Sequence, residues 1–246
     1  MLGLGASLSS SSSTPSGLTS MTTDLEFWLK NGSGVAVGQW DDSSGNSNHA
    51  TQATGGNQAA LSGGGLNFVS SESDHYDFAS TITIPNQGGF CIAVVWDVDA
   101  NTSTVLSDSS NEFFEFKSNN TLRFNSNNDG SEDETVVASI FVASSGTPFA
   151  LNEKMVILFN RTAGGSGAFS IYKNGSAVSI AASSGTSTLV DAGENVGGFD
   201  ITSLGVKGAS THDFDGDILE IAFWSKSLSA TEIADVNSYL TTVHGL

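Results

Sequence analysis

Three groups of residues in this sequence have types and spacings that can do chemistry. The first is Asp215-Gly216-Asp217-Ile218-Leu219-Glu220. Retaining hydrolysis of a glycosidic bond needs two carboxyl groups about 5 Å apart. Alternate residues of a strand share a face, so Asp215 and Asp217 match in parity. Glu220 falls on the opposite face unless a bulge intervenes. Glu112 and Glu115 fail the same parity test. These carboxylates are expected to face solvent, no catalytic residue is assigned, and the chain is expected not to be an enzyme. The second group is the loop Asp41-Asp42-Ser43-Ser44-Gly45-Asn46-Ser47-Asn48. Hard cations take several oxygen ligands. Asp41, Asp42, Asn46 and Asn48 are the candidate calcium ligands, with Asp213, Asp215 and Asp217 able to contribute from the other end of the chain. Asn and Asp also make turns of their own, so plain turn chemistry competes with calcium, and no other cofactor is expected. The third group is Trp40 with His49 and Tyr76, an aromatic surface beside polar groups that suits a sugar ring. Trp96 stands behind it. For Trp40 itself, burial between two sheets is the favoured expectation.

Other chemistries are excluded. His75, His212 and His244 lack the partner spacing of a zinc site. No Gly-x-Ser-x-Gly elbow is present for a serine nucleophile. Cys91 is the single cysteine, so no intramolecular disulfide can form, and its apolar neighbours mark it as a small buried hydrophobe. Eight Lys and Arg stand against 26 Asp and Glu, a net charge of −18. That is too few cations for a nucleic-acid surface or for docking on an anionic membrane. No stretch is long and apolar enough to span a bilayer. Residues 1–8 lack a cationic start and a sustained apolar core, so no signal peptide is expected.

These groups need a scaffold, and the chain of 246 residues fits one large all-β domain with a tail. Residues 1–22 form a Ser/Gly-rich arm, flexible on composition. Leu2, Leu4, Leu8 and Leu18 are its candidate assembly contacts. From 23 onward short apolar or alternating runs alternate with Gly, Asn, Ser and Asp clusters. Strands are expected at 24–30, 35–40, 65–69, 75–79, 90–98, 112–117, 120–125, 135–143, 154–160, 168–173, 176–182 and 216–224. Asn174-Gly175 is a two-residue hairpin signal, and Asn119-Asn120 a second. Residues 127–134 form an acidic loop, expected to be solvated. Ser229-Ala230-Thr231-Glu232 is a capping box. Ile233, Val236, Leu240 and Val243 then recur at helical spacing, which predicts one helix over 229–244. The expectation is an antiparallel two-sheet sandwich closed by that helix.

Three segments resemble, in order, the concanavalin A-like, laminin-G-like jelly-roll domains. Asp24-Leu25-Glu26-Phe27-Trp28-Leu29-Lys30 followed by Gln39-Trp40-Asp41 through Gln52 resembles the opening strand and its loop. Phe169-Ser170-Ile171-Tyr172-Lys173-Asn174-Gly175 is similar to an internal hairpin. Phe214-Asp215-Gly216-Asp217-Ile218-Leu219-Glu220-Ile221 through Ser229 resembles the closing strand before its helix. The resemblance implies a jelly-roll sandwich and often a calcium site near the 41–48 loop. It also implies lectins, glycosidases, adhesion modules and virion proteins as functions. Laminarinase-type glycosidases of this fold carry a leading glutamate that this chain lacks. The opening Met-Leu-Gly-Leu-Gly, the serine arm and a lectin-like body resemble virion proteins of tailed bacteriophages.

The leading expectation is a virion structural protein, a capsid decoration or a tail or fibre component, made in the host cytoplasm. It would attach through its arm to other virion subunits or to copies of itself. A carbohydrate-binding module that recognises surface glycans, with or without calcium, is the alternative, and a laminarinase-type glycosidase the third.

Overall fold

The computed structural model describes residue 18 and residues 21–108, 112–125, 147–164, 168–179, 198–208 and 213–246. Sixteen strands, one α-helix and two short 3-10 helices are assigned among them. The early strands are β1 (Leu25–Leu29), β2 (Val35–Ala36), β3 (Gln39–Trp40), β4 (Ala50–Thr51), β5 (Ala60–Ser62), β6 (Gly65–Phe68), β7 (Tyr76–Ile84) and β8 (Phe90–Val98). There follow β9 (Ser103–Ser107), β10 (Phe113–Ser118), β11 (Thr121–Asn125), β12 (Lys154–Arg161), β13 (Phe169–Lys173), β14 (Ser176–Val178), β15 (Phe199–Leu204) and β16 (Gly216–Trp224), then α1 (Ala230–His244). The strands build two sheets. The first runs β14-β13-β12-β8-β16-β6-β5, with β1 also paired to β16; the second runs β11-β10-β9-β15-β7-β4-β3-β2. Every named pairing is antiparallel. This is the all-β jelly-roll sandwich expected from the alternating runs.

The core follows from period-two alternation. In β8, Phe90, Ile92, Val94, Trp96 and Val98 point between the sheets. Cys91, Ala93 and Val95 point to the outer face of the first sheet. Those outward residues are small, as is Ala222 on the neighbouring β16, and α1 fits against them with Ile233, Val236, Tyr239 and Leu240 buried. The capping box forms as the spacing predicts: Ser229 Oγ accepts from the Glu232 backbone and Glu232 reaches back to the Ser229 N–H. A hydrogen bond from Lys226, first, and those from Ser229 pull the Glu232 carboxyl down to about 2. Gly245 ends the helix at φ 68°. Asn174 and Gly175 turn β13 into β14 with φ of 47° and 80°, the two positive values of a type I′ turn.

Several expectations change. The stretch 35–40 is not one strand: Val37 and Gly38 turn β2 back on β3. The short β4 and β5, and also β9 and β15, were not expected. The strand proposed at 135–143, the end of that at 176–182 and the acidic loop 127–134 lie outside the described residues, as do Leu2, Leu4 and Leu8. Leu18 is corrected. It is fully buried, with Met21, in the apolar cluster under α1, and Trp224 Nε1 donates to the Met21 carbonyl at 2.9 Å. Leu18 therefore belongs to the body and has no face left to grip a neighbour.

Candidate functional site

The loop after β3 is built by its own polar side chains. Asp42 Oδ1 accepts the Trp28 and Ser44 backbone N–H groups, each at 2.8 Å. Its Oδ2 accepts the Ser44 hydroxyl at 2.7 Å and the Asn48 N–H at 3.0 Å. A carboxylate offers about four lone-pair positions, and all four have donors here. Asn46 Nδ2 donates to the Leu25 and Glu26 carbonyls, and Asn48 Nδ2 to Glu26 O at 2.8 Å. Both asparagines thus staple the loop to β1. His49 Nδ1 accepts from the Asp42 N–H at 3.0 Å and lies 3.5 Å from Asp41 Oδ1. The geometry is that of a self-bonded turn. A calcium ion on Asp42 would have to displace donors that hold the loop. Asp215 and Asp217 do not join the loop: they sit at the start of β16, whereas the loop lies against β1, which pairs with the other end of that strand. Among the described residues no three His, Cys, Asp or Glu side chains gather closely enough to hold a metal ion.

The aromatic surface is corrected. Trp40 and Tyr76 are fully buried between the sheets. Trp40 Nε1 donates to the Lys30 carbonyl at 3.1 Å and Tyr76 OH to that of Val37. No sugar ring can stack on either. His49 stays partly exposed. The favoured expectation for Trp40, burial between the sheets, is the observed one.

The carboxylates of β16 are also rearranged. The register against β8 slips between Ile218 and Glu220, so a bulge does intervene. It turns Glu220 outward, to the face that carries Asp217. Glu220 does not face solvent there. It is 1% exposed, and Oε1 accepts Trp28 Nε1–H at 2.7 Å and Tyr239 O–H at 3.1 Å. Oε2 meets His244 Nε2 at 2.8 Å. The helix seals this network from any saccharide. Asp217 accepts from Asn67 at 2.7 Å and Ser62 at 3.1 Å, and Asp215 from Ser70 at 3.2 Å. Asp97 lies directly across from Asp217. Burial first, then Asp99, Asp217 and Glu153, raise the Asp97 carboxyl; burial and then Asp215 and Asp217 raise that of Asp99.

An open site exists elsewhere. A cleft of about 420 Å³ lies at one end of the outer face of the second sheet, lined by Ser73, His75, Asp77, Asp108, Ser203, Val206, Gly208 and Asp213. Asp77 and Ser203 are direct cross-strand neighbours on β7 and β15, and Ser203 Oγ donates to Asp77 Oδ1 at 3.1 Å. His75 Nδ1 meets the Ser73 carbonyl at 2.8 Å. One wall is the segment Val206–Gly208. Ser107 Oγ pins it by donating to the Val206 carbonyl at 2.5 Å, and Lys207 Nζ pins it by sitting 3.7 Å from the centre of the Phe113 ring. Hydroxyls, an imidazole and carboxylates around a concave surface can hydrogen-bond a polyhydroxylated ligand.

The family model of the concanavalin A-like lectin/glucanases superfamily matches residues 70–234, more than half of the chain. The chain belongs to that superfamily. The matched stretch contains β7 to β16 and every lining residue of the cleft, whereas the 41–49 loop precedes it. No curated protein matches the chain. Among solved structures, this superfamily member is similar to the binding domain of Paraclostridial Mosquitocidal Protein 1, at 13% identity and TM-score 0.59, over 88% of this chain and 52% of that one. It is similar to Trypanosoma rangeli sialidase in complex with sialic acid, at 15% identity and TM-score 0.53, over 89% of this chain and 33% of the sialidase. A structure of botulinum neurotoxin type C matches at 13% identity and TM-score 0.50, over 91% of this chain and 53% of the toxin chain. The chain therefore spans between a third and about half of these structures, and at such identities the likeness is one of fold.

Sequence reasoning missed the cleft. It singled out His75 only as a non-ligand of zinc and Asp213 only as a calcium contributor. Tyr76-Asp77-Phe78 alternates, so an outward Asp77 was legible. Its pairing with Ser203, 126 residues away, comes from sheet order, and no local pattern encodes that.

Proposed function

We propose that this chain is a non-enzymatic carbohydrate-binding module whose site is the cleft of Asp77, Ser203 and His75. The observation that carries this reading is the contrast between the two outer faces of the sandwich. The first is sealed by α1 over Trp28, Trp224 and Glu220. The second carries the cleft, walled by groups that match saccharide hydroxyls. The solved relatives support the reading: one is a binding domain, one is a sialidase with sialic acid, and one concerns a toxin whose cell entry depends on two ganglioside molecules. Catalysis is not proposed, because the β16 carboxyls that the sequence offers are bonded to Asn67 and Ser62 or buried under the helix. The full chain applied to an array of neutral, amine-bearing and acidic saccharides should retain at least one class. Asp77→Ala with Ser203→Ala should abolish that retention while leaving the melting temperature within about 2 °C, as for surface substitutions. An array silent for the unaltered chain sinks the reading.

The setting we propose is a virion surface, with other virion subunits as partners of residues 1–17. Leu18 and Met21 lie against the outer face of the first sheet. Leu18 and Met21 are thus on the side of the sandwich away from the cleft. Deleting residues 1–17 should leave melting unchanged within about 2 °C. It should remove the protein from purified particles analysed by mass spectrometry; undiminished incorporation counts against this attachment.

A further inference from the structure

On the reading that the cleft is a saccharide site, we propose that it selects by charge: it takes saccharides that carry a free amine or no charge, the amine-bearing ones most tightly, and turns away those carrying a carboxylate. Among the described residues the lining contains three carboxylates, Asp77, Asp108 and Asp213, and no lysine or arginine. Lys207 stands between the lining residues Val206 and Gly208, but its ammonium is committed elsewhere, 3.7 Å from the centre of the Phe113 ring. Arg123 covers the same ring at 4.9 Å and reaches Glu115 at 3.5 Å. Lys207 and Arg123 are therefore drawn to the β10–β11 side, and Lys117 of β10 donates to Thr102 Oγ1 at 3.1 Å. The field of the whole chain, at net −18, has the same sign as the lining.

Hydrogen-bond roles point the same way. The bond from His75 to the Ser73 carbonyl places a proton on Nδ1. Asp77 is exposed and already accepts a hydrogen bond from the Ser203 hydroxyl. Asp108 is exposed as well. The carboxylate oxygens of Asp77 and Asp108 accept, so the cleft calls for a ligand that donates. Sugar hydroxyls donate, and an ammonium group donates three times while neutralising part of the lining. A sialic or uronic carboxylate only accepts, and would meet like charges at short range. The preference is thus opposite in sign to that of a site built for sialic acid.

The test titrates the full chain with four probes: a glucosamine tetramer, its N-acetylated twin, lactose and 3′-sialyllactose. At low salt the glucosamine tetramer should bind about tenfold tighter than its twin, and at 1 M salt that advantage should shrink to about twofold, as screening of a half-open site predicts. Lactose should bind at least about threefold tighter than sialyllactose at low salt. Asp77→Asn with Asp108→Asn should weaken both tetramers and bring their ratio towards about twofold. Sialyllactose binding tighter than lactose, or an amine without advantage, overturns the charge rule and leaves the saccharide reading standing. Silence towards all four probes, together with a silent array, overturns both.

Discussion

Replacing Glu220 by alanine is expected to destabilise the protein by about 3–5 kcal/mol, the range for breaking a buried, hydrogen-bonded charged group. In a chain of this size that corresponds to a fall in melting temperature of roughly 10 °C. The size follows from what the change leaves behind. Glu220 is 1% exposed and is the common acceptor of Trp28 from β1, Tyr239 from mid-helix and His244 from the helix end. Without it three donors are stranded in a space that water reaches poorly, and each unsatisfied group costs on the order of 1–3 kcal/mol. Burial and the nearby Glu220 already hold the Tyr239 hydroxyl well above its ordinary range, so that phenol remains a donor seeking a partner. Glu220→Gln keeps an acceptor for Trp28 and Tyr239 and should cost about 1–2 kcal/mol. Thermal unfolding followed by near-ultraviolet circular dichroism measures both. An alanine variant within 1 kcal/mol of the parent would show that the network adds little.

The second large effect is expected at Gly216, where alanine should cost about 2–5 kcal/mol. Two terms add. Gly216 has φ +126°, a conformation that costs a residue with a Cβ about 1–2 kcal/mol. A Cβ would also stand 2.2 Å from the Asp97 carbonyl oxygen and 3.0 Å from the Asp99 nitrogen. Both are backbone atoms of a paired region and can yield only by moving it, at about 1–3 kcal/mol. Gly175→Ala is the control. Its φ is +80° but nothing lies within 4 Å, so only the conformational cost of about 1–2 kcal/mol remains. Urea unfolding should separate the two variants clearly; equal midpoints would falsify the close-approach argument.

The fold was largely legible, and the site was not. Phe90–Val98 was readable to the residue, because a long apolar run with period-two alternation leaves little choice of register; the bounds of Gly216–Trp224 were readable from its apolar run, its shifted register was not. The helix was readable because Ser229 and Glu232 satisfy its first turn and Gly245 ends it. β9 was missed since Ser103, Thr104 and Ser107 hide its pattern, and its strand character comes from pairing with β10 and β15. Trp40 looked like a platform because Asp41 to Asn48 follow it. A turn that satisfies its own polar groups and a cation site share a composition, and only the donors counted around Asp42 separate them. Glu220 depended on a bulge that no single residue announces. The cleft depended on strand order, which brings Asp77 beside Ser203.

β16 is the hub of the first sheet, with β8 along one edge and β6 and β1 sharing the other. It is also the last strand in the chain. During synthesis, most of the polypeptide must leave the ribosome before the middle of that sheet exists. Until then β1, β6 and β8 present open edges, the state in which β-rich chains fold slowly and stick to one another. Production of this protein should therefore depend on slow translation or chaperone cover far more than its final packing implies.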